Sequence, residues 1–217
     1  MEKTFLHELD LFFKKAKPLH FRRGEIIFRA GDQPPGIFCL KSGYVKVYSF
    51  SKNGEELTLI IFKRGDIFPV SWVINNAPSD YFVESMTEAE LWRVKKEQFL
   101  EFVKDKPEVL FELTRRMLVR FLGLMRRMEH LVFGNAHSKV ASILLICAER
   151  FGKKSGGNVV IDVPLTHNDI ATLVGMTRET VSIEIKKLQN QGLVEYKGRL
   201  VVIKSLIKLR RQSLLSS

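Results

Sequence analysis

The chain of 217 residues predicts an α+β protein made of a jelly-roll-like β-domain, a long seam helix and a C-terminal winged helix-turn-helix. Three observations predict it. Over residues 1–106, short apolar runs alternate with glycine-containing turns. Over residues 107–133 the apolar period becomes helical. Over residues 165–182, two short helical patterns flank Gly175 and lead into a hairpin signal.

Residues 1–17 read as a helical lead-in. The runs Glu25–Phe28, Gly36–Leu40, Tyr44–Tyr48 and Leu57–Phe62 then read as strands, with Gly24, Gly31-Asp32, Ser42-Gly43, Asn53-Gly54 and Gly65-Asp66 as the turns between them. Strands at this even spacing suggest a small barrel or jelly roll. From Pro107 to Phe133, Leu110, Met117, Phe121, Leu124, Met128 and Leu131 fall on one seam, while Arg115, Arg116, Arg120, Arg126, Arg127 and Glu129 lie off it. About three heptads suffice for a two-stranded coiled coil with flanking support. The competing reading is a long helix packed on its own β-domain. His137–Phe151 reads as a further helix with Val140, Ile143, Leu144 and Cys147 on one face, and Gly152–Asn158 as a loop.

The run Leu165–Ser182 carries the densest information. Thr166 caps a first helix, with Asp169 at capping-box spacing. Ile170, Ala171, Leu173 and Val174 supply an apolar face. Gly175 stops the helix, because glycine tolerates the left-handed conformation there. Thr177 caps a second helix whose Val181, Ile185 and Leu188 point inward and whose Arg178, Glu179 and Ser182 point out. Arg178 has a planar fork suited to guanine O6 and N7, and Glu179 can accept from the N4 amine of cytosine. Thr177, Thr180, Ser182 and Lys186 suit phosphates, which fix register without reading sequence. Thr166, His167 and Asn168, at the start of the first helix, complete the candidate DNA face. Spacing alone also fits an ordinary helical hairpin with solvated charges. The segment C-terminal to the second helix favours the DNA reading: Asn190–Tyr196 leads into Lys197-Gly198-Arg199 and then Leu200–Ile203, and Gly198 offers a hairpin turn between two short β-rich runs, as in a wing.

Composition agrees. The net charge is +11, and residues 137–217 carry 13 Lys and Arg against 6 Asp and Glu, whereas residues 1–106 carry 17 against 15. The excess sits on the candidate DNA module. No apolar stretch reaches the ~18–20 residues a membrane span needs. The N-terminus has no signal-peptide pattern. Two cysteines, Cys39 and Cys147, are too few for a disulfide framework or for an iron–sulfur cluster held by this chain alone. The expectation is a reduced, cytoplasmic protein.

The order of parts resembles the CRP/FNR superfamily of bacterial transcription regulators over nearly the whole chain. The residues that carry it are Arg22–Asp32 (RRGEIIFRAGD), Phe38–Val47 (FCLKSGYVKV) and Val174–Ser182 (VGMTRETVS). The resemblance implies a cyclic-nucleotide-binding-like β-roll over 1–106, a dimerisation helix and hinge over 107–136, and a winged DNA-binding domain over 137–217. It implies a homodimer with recognition helices, about 177–188 here, in successive major grooves of a two-fold operator. It also implies an effector in the β-roll that reorients the DNA heads, and RNA polymerase as a partner.

Two departures matter. Cyclic-nucleotide members of the family carry a Gly-Glu pair for the ribose and later an Arg-Ser/Thr-Ala for the cyclic phosphate. An ungapped overlay puts Pro69 and Val70 in the first place and Asp80, Tyr81 and Phe82 in the second. A carboxylate facing a phosphate repels it, and no Arg or Lys lies between Arg64 and Arg93. The sequence therefore predicts no binding of cyclic AMP or cyclic GMP. An apolar pocket is the expected substitute, with Phe68, Trp72, Tyr81 and Phe82 as wall residues facing Phe121, Leu124 and Met125 of the seam helix. The equal alternative is a barrel filled by its own aromatics, giving a constitutive regulator. A haem held by His130, Cys39 or Cys147 lacks paired ligand spacing, and no metal site is predicted. The second departure is Ile183, where the family often has Arg. It cannot hydrogen-bond a base but can touch a thymine methyl.

A competing function is a small-molecule sensor acting mainly through a protein partner. Arg178, Glu179 and the C-terminal charge argue for DNA instead. An enzyme is not predicted, because there is no metal-spaced His/Cys set, no nucleophile elbow and no phosphate-cradling glycine loop.

Overall fold

The computed structural model describes residues 2–214. By contact density the chain divides into two compact units, one running up to residue 119 and one from residue 120. The division falls inside the long helix, whereas the sequence placed its boundaries at that helix's two ends.

The first unit opens with helix α1 (Glu2–Phe13), followed by β1 (Pro18–Phe21), β2 (Ile26–Phe28), β3 (Ile37–Ser42), β4 (Val45–Phe50), β5 (Glu56–Phe62) and β6 (Ile67–Phe68). Helix α2 (Val70–Asn75), β7 (Phe82–Ser85), β8 (Ala89–Val94) and α3 (Lys96–Lys104) come next, and α4 (Pro107–Phe133) begins. The strands form two antiparallel four-stranded sheets, ordered β1-β8-β3-β6 and β2-β7-β4-β5. This is the expected β-roll, with α2 and α3 in a stretch where the sequence named no elements.

Strand β3 shows why the roll needs its helices. Its side chains alternate between two apolar surroundings. Ile37 and Cys39 join a cluster with Phe5, Leu9 and Phe13 of α1, Phe99 and Val103 of α3, and Val109 and Leu113 of α4. Phe38 and Leu40 point into the roll with Val45, Val47, Phe62, Phe68, Val83 and Leu91. A strand buried on both faces loses the alternation of a half-solvated one, which is why this segment reads as a continuous apolar run. Near the start of α4, Glu112 is buried and held by Arg115 and Arg116 at 2.7 and 3.0 Å. The hydrogen bond from Arg115 leads in bringing its carboxyl down to about 2.

The second unit holds the remainder of α4, then α5 (Ala136–Phe151), β9 (Gly152–Ser155), β10 (Asn158–Ile161), α6 (His167–Val174), α7 (Arg178–Asn190), β11 (Val194–Lys197), β12 (Leu200–Ile203) and α8 (Leu206–Arg211). Asn135 caps α5 by accepting from the Ser138 amide at 2.9 Å. One expectation is corrected here. Residues 152–158, read as a loop, form most of a hairpin that turns at Gly156-Gly157 and extends the sheet to the order β11-β12-β10-β9. Gly, Lys and Ser have poor strand propensity. Pairing with the apolar β10 supplies what propensity does not, and β9 lies exposed at the sheet edge.

Candidate nucleic-acid interface

The helix-turn-helix assembles from its caps. Thr166 Oγ1 accepts from the Asp169 amide at 3.1 Å, and the Thr166 amide donates to the Asp169 carboxylate at 2.8 Å, so two amide donors at the start of α6 are satisfied reciprocally. Gly175 ends α6 at φ 61°, a left-handed backbone that favours glycine. Thr177 then caps α7 by accepting from the Thr180 amide. Val181, Ile185 and Leu188 are fully buried beneath α7.

The opposite face of α7 is open. Arg178, Glu179, Ile183 and Lys186 are exposed, Ile183 at 57%. Thr177 and Asn168 are exposed as well, and Thr166 and Thr180 are partly so. Two of the expected DNA residues have work inside the protein. The Ser182 hydroxyl donates to the Arg178 carbonyl at 2.8 Å, so it faces inward along the helix as well as outward. Its oxygen also lies 2.8 Å from His167 Nδ1. Since the one hydroxyl proton is committed, the imidazole must be the donor, which leaves Nε2 as the acceptor in the neutral ring. The His167 ring packs edge-on against Tyr196 of β11, with centroids 5.4 Å apart. Burial, and then the nearby Arg178, hold its pKa below the ordinary histidine value.

Further residues of the face escaped the sequence reading. Lys197 and Arg199 are exposed on either side of Gly198 at the wing tip. The Leu165 amide donates to the Arg199 carbonyl at 3.0 Å, tying that tip to the approach of α6. The available signal was two basic residues around the turn glycine. Glu184 was also missed, for it is charged yet buried under α7. Its carboxylate takes His137 Nδ1 at 2.8 Å and Lys187 Nζ at 2.7 Å. Burial pushes that carboxyl up, and the hydrogen bonds from Lys187 and His137 outweigh it, so its pKa sits below the usual value. From α4, the Arg127 guanidinium donates to the Leu173 carbonyl at the end of α6, where a cation meets the negative end of a helix.

The seam residues divide. Leu110, Met117, Phe121, Leu124 and Met128 are exposed, Phe121 at 58%, together with Phe111, Leu118, Leu122 and Met125 beside them. Leu131 is half-buried and lines a small groove with Arg127, His130 and Ile143.

The four aromatic wall residues of the β-roll do not share a wall. Phe68 is 2% exposed and belongs to a ladder inside the roll, Phe28–Phe38–Phe68–Phe62, with centroid spacings of 6.1, 5.6 and 4.7 Å. Phe82 stacks on Tyr48 at 5.3 Å, while its neighbour Val83 points into the ladder's core. Trp72 packs against the helical cluster and donates to Gln33 at 3.0 Å. Tyr81 is exposed, as is Asp80. Alternation along β7 separates Phe82 from the interior, which the sequence could not register without the pairing partners. Cys39 and Cys147 are buried, and burial raises each thiol to about 12. Among the described residues, no group of three or more His, Cys, Asp or Glu is placed to hold a metal ion. No described helix is long and apolar enough to cross a membrane.

Comparison with known proteins agrees with this architecture. Residues 18–106 match the cyclic nucleotide-binding domain family, and residues 138–212 match the Crp-like helix-turn-helix domain family. The chain is 28% identical over 200 residues to a CRP-like cAMP-activated global transcriptional regulator of Mycobacterium tuberculosis, covering 92% of this chain and 89% of that one. It is 28% identical over 194 residues to a global nitrogen regulator of Nostoc sp., covering 88% and 87%. A CooA mutant from Carboxydothermus hydrogenoformans superposes with a TM-score of 0.76 at 25% identity, over 94% of this chain and 89% of that one. With these two domains in this order around a long helix, the chain belongs to the CRP/FNR superfamily of DNA-binding transcription regulators, and it is not an enzyme.

Proposed function

We propose that the protein acts as a homodimer on a two-fold operator, with α7 of each copy in the major groove and the two grooves about one DNA turn apart. The observation that carries this reading is the two-sidedness of α7. Val181, Ile185 and Leu188 anchor it, and Arg178, Glu179, Ile183 and Lys186 stand exposed on the other side. In this reading Arg178 and Glu179 read base edges and Ile183 meets a thymine methyl. Thr166, His167, Asn168, Thr177, Thr180, Ser182, Lys186 and the wing-tip Lys197 and Arg199 serve the phosphates. The exposed apolar face of α4, from Leu110 to Met128, supplies the dimer contact. RNA polymerase is the expected protein partner, in the cytoplasm.

In this reading the β-roll binds neither cyclic AMP nor cyclic GMP. The Phe28–Phe62 ladder occupies its interior, and Asp80 and Val70 replace the residues that would hold phosphate and ribose. No switching step is therefore assigned to a nucleotide. The filled interior favours a regulator whose DNA binding is constitutive over one with a hydrophobic effector inside the roll. No iron–sulfur or haem cofactor is assigned either. The test is salt-dependent binding to the DNA upstream of its own coding sequence, with and without cyclic AMP. Tight binding without nucleotide, with a steep negative salt slope, is the expected result. Binding only with cyclic AMP would overturn the reading of Val70 and Asp80.

A further inference from the structure

Directly after Gly134 and the cap residue Asn135, the first turn of α5 places His137 between two other elements. Its Nδ1 lies 2.8 Å from Glu184 Oε2 of α7, and its Nε2 lies 3.2 Å from Gln212 Oε1 beyond α8. Glu184 is buried on the face of α7 opposite Arg178 and Ile183, so it does not reach DNA when α7 is seated in a groove. Its other oxygen is held at 2.7 Å by Lys187, one turn on. A carboxylate is costly to bury without partners, so its presence in the apolar underside of a helix needs a reason. The neighbouring anchors Val181, Ile185 and Leu188 are apolar and grip without direction. A charged hydrogen bond has a direction.

We propose that His137 and Glu184 are a positioning pair that fixes the orientation of α7 against the start of α5, and so sets how α7 reads bases without touching DNA. The proposal rests on α7 being the reading helix. Geometry gives the leverage. Arg178 lies six residues from Glu184, or about 9 Å along the helix at 1.5 Å per residue. A tilt of about ten degrees at Glu184 therefore moves Arg178 by roughly 1.5 Å, enough to spoil a bidentate base contact. Phosphate contacts from long side chains tolerate such a shift. The pair therefore acts on sequence discrimination and leaves charge-driven binding alone. It also connects the residues just after α4 to the reading face, because any displacement of the first turn of α5 passes to α7 through this bond.

The test uses the full chain and two duplexes, one enriched by the parent protein from a randomised pool and one of scrambled sequence. His137→Ala and the near-isosteric Glu184→Leu should each weaken binding to the enriched duplex about tenfold. Binding to the scrambled duplex should change less than about twofold, with an unchanged salt slope, because no phosphate contact is lost. The double variant should be no worse than the worse single variant, since the two act as one bond. Glu184→Gln, which keeps an acceptor for His137 and leaves no unpaired charge, should stay close to the parent and covers the case in which Glu184→Leu fails to fold. Equal weakening on both duplexes, additive losses in the double variant, or parent-level affinity in His137→Ala would overturn the proposal. If the parent enriches no sequence at all, the reading of α7 falls first and the positioning role with it. A parent that enriches a sequence which His137→Ala reads equally well removes the positioning role alone.

Discussion

In the β-roll most buried side chains are apolar and meet one another, although Thr58, Asp66 and Ser85 are buried as well. Phe28, Phe38, Phe68 and Phe62 stack in sequence through the interior, and Asp80 stays at the surface. In the winged module, buried and half-buried polar groups tie one element to the next. His137 reaches Glu184, His167 reaches Ser182, and Arg127 reaches the Leu173 carbonyl. The contrast shows where specificity resides in each unit. An interior filled by apolar contact grips without direction. A module whose helices are joined by directional hydrogen bonds holds a precise outward geometry, as reading base edges requires. The two family matches give both units equal standing, and the side chains distinguish them.

The largest effect is expected where neither unit satisfies its own surface, along α4. Charged replacements at Phe121 and Leu124 should give monomers by sedimentation and lose tight operator binding, because one half-site cannot supply the affinity of two. A dimer that persists would show that this face is covered by another part of the chain. Next in size is the ladder. Phe68→Ala removes one of its two inner rings and should cost about 3–5 kcal/mol of β-roll stability, read as a fall in its melting transition. Operator affinity measured well below that transition should be unchanged. If the variant instead acquires affinity for a small apolar ligand together with altered DNA binding, the β-roll is a sensor with a plugged site, and the contrast between the units softens.

How much of this was legible depends on the range of the interaction. Thr166, Gly175, Thr177 and Gly198 announce caps and turns within three or four residues, and the sequence placed α6, α7 and the wing correctly from them. The strand run Tyr44–Tyr48 and the apolar seam of α4 were equally local. The β9–β10 hairpin was not legible, because Lys153 and Lys154 are strand residues only through pairing with Val160 and Val159. The proposed aromatic wall failed for the same reason: whether Phe82 or Val83 faces inward depends on register with β4, which is not local. Glu184 carries no local signal that sets it apart from other helix charges. Its partner His137 stands 47 residues earlier, so its burial and role became visible only in three dimensions.

A smaller effect separates base reading from charge. Arg178→Ala should cost about 1–3 kcal/mol on the operator and relax preference at one base pair, while Lys186→Ala should weaken all sequences alike and reduce the salt slope by about one. Measured across a panel of single-base operator variants, uniform weakening by Arg178→Ala would assign that side chain to a phosphate. The module would then read through fewer residues than its exposed face offers.

The smallest expected effect concerns protons. In the free protein, burial and Arg178 hold His167 below the ordinary histidine value, so near neutral pH its ring is uncharged and Nε2 carries no proton. A phosphate placed against that ring favours the imidazolium and gives Nε2 a proton to donate. Binding would then take up a proton, and by linkage affinity must rise as pH falls toward and below 6.5. The parent should bind its operator severalfold more tightly at pH 6 than at pH 8, and His167→Gln should flatten that dependence while keeping a hydrogen-bonding side chain beside Ser182. A parent profile that is already flat would leave His167 as a strut between α6, α7 and the wing, with no phosphate of its own. The winged module would then spend even this residue on internal geometry, as it does His137.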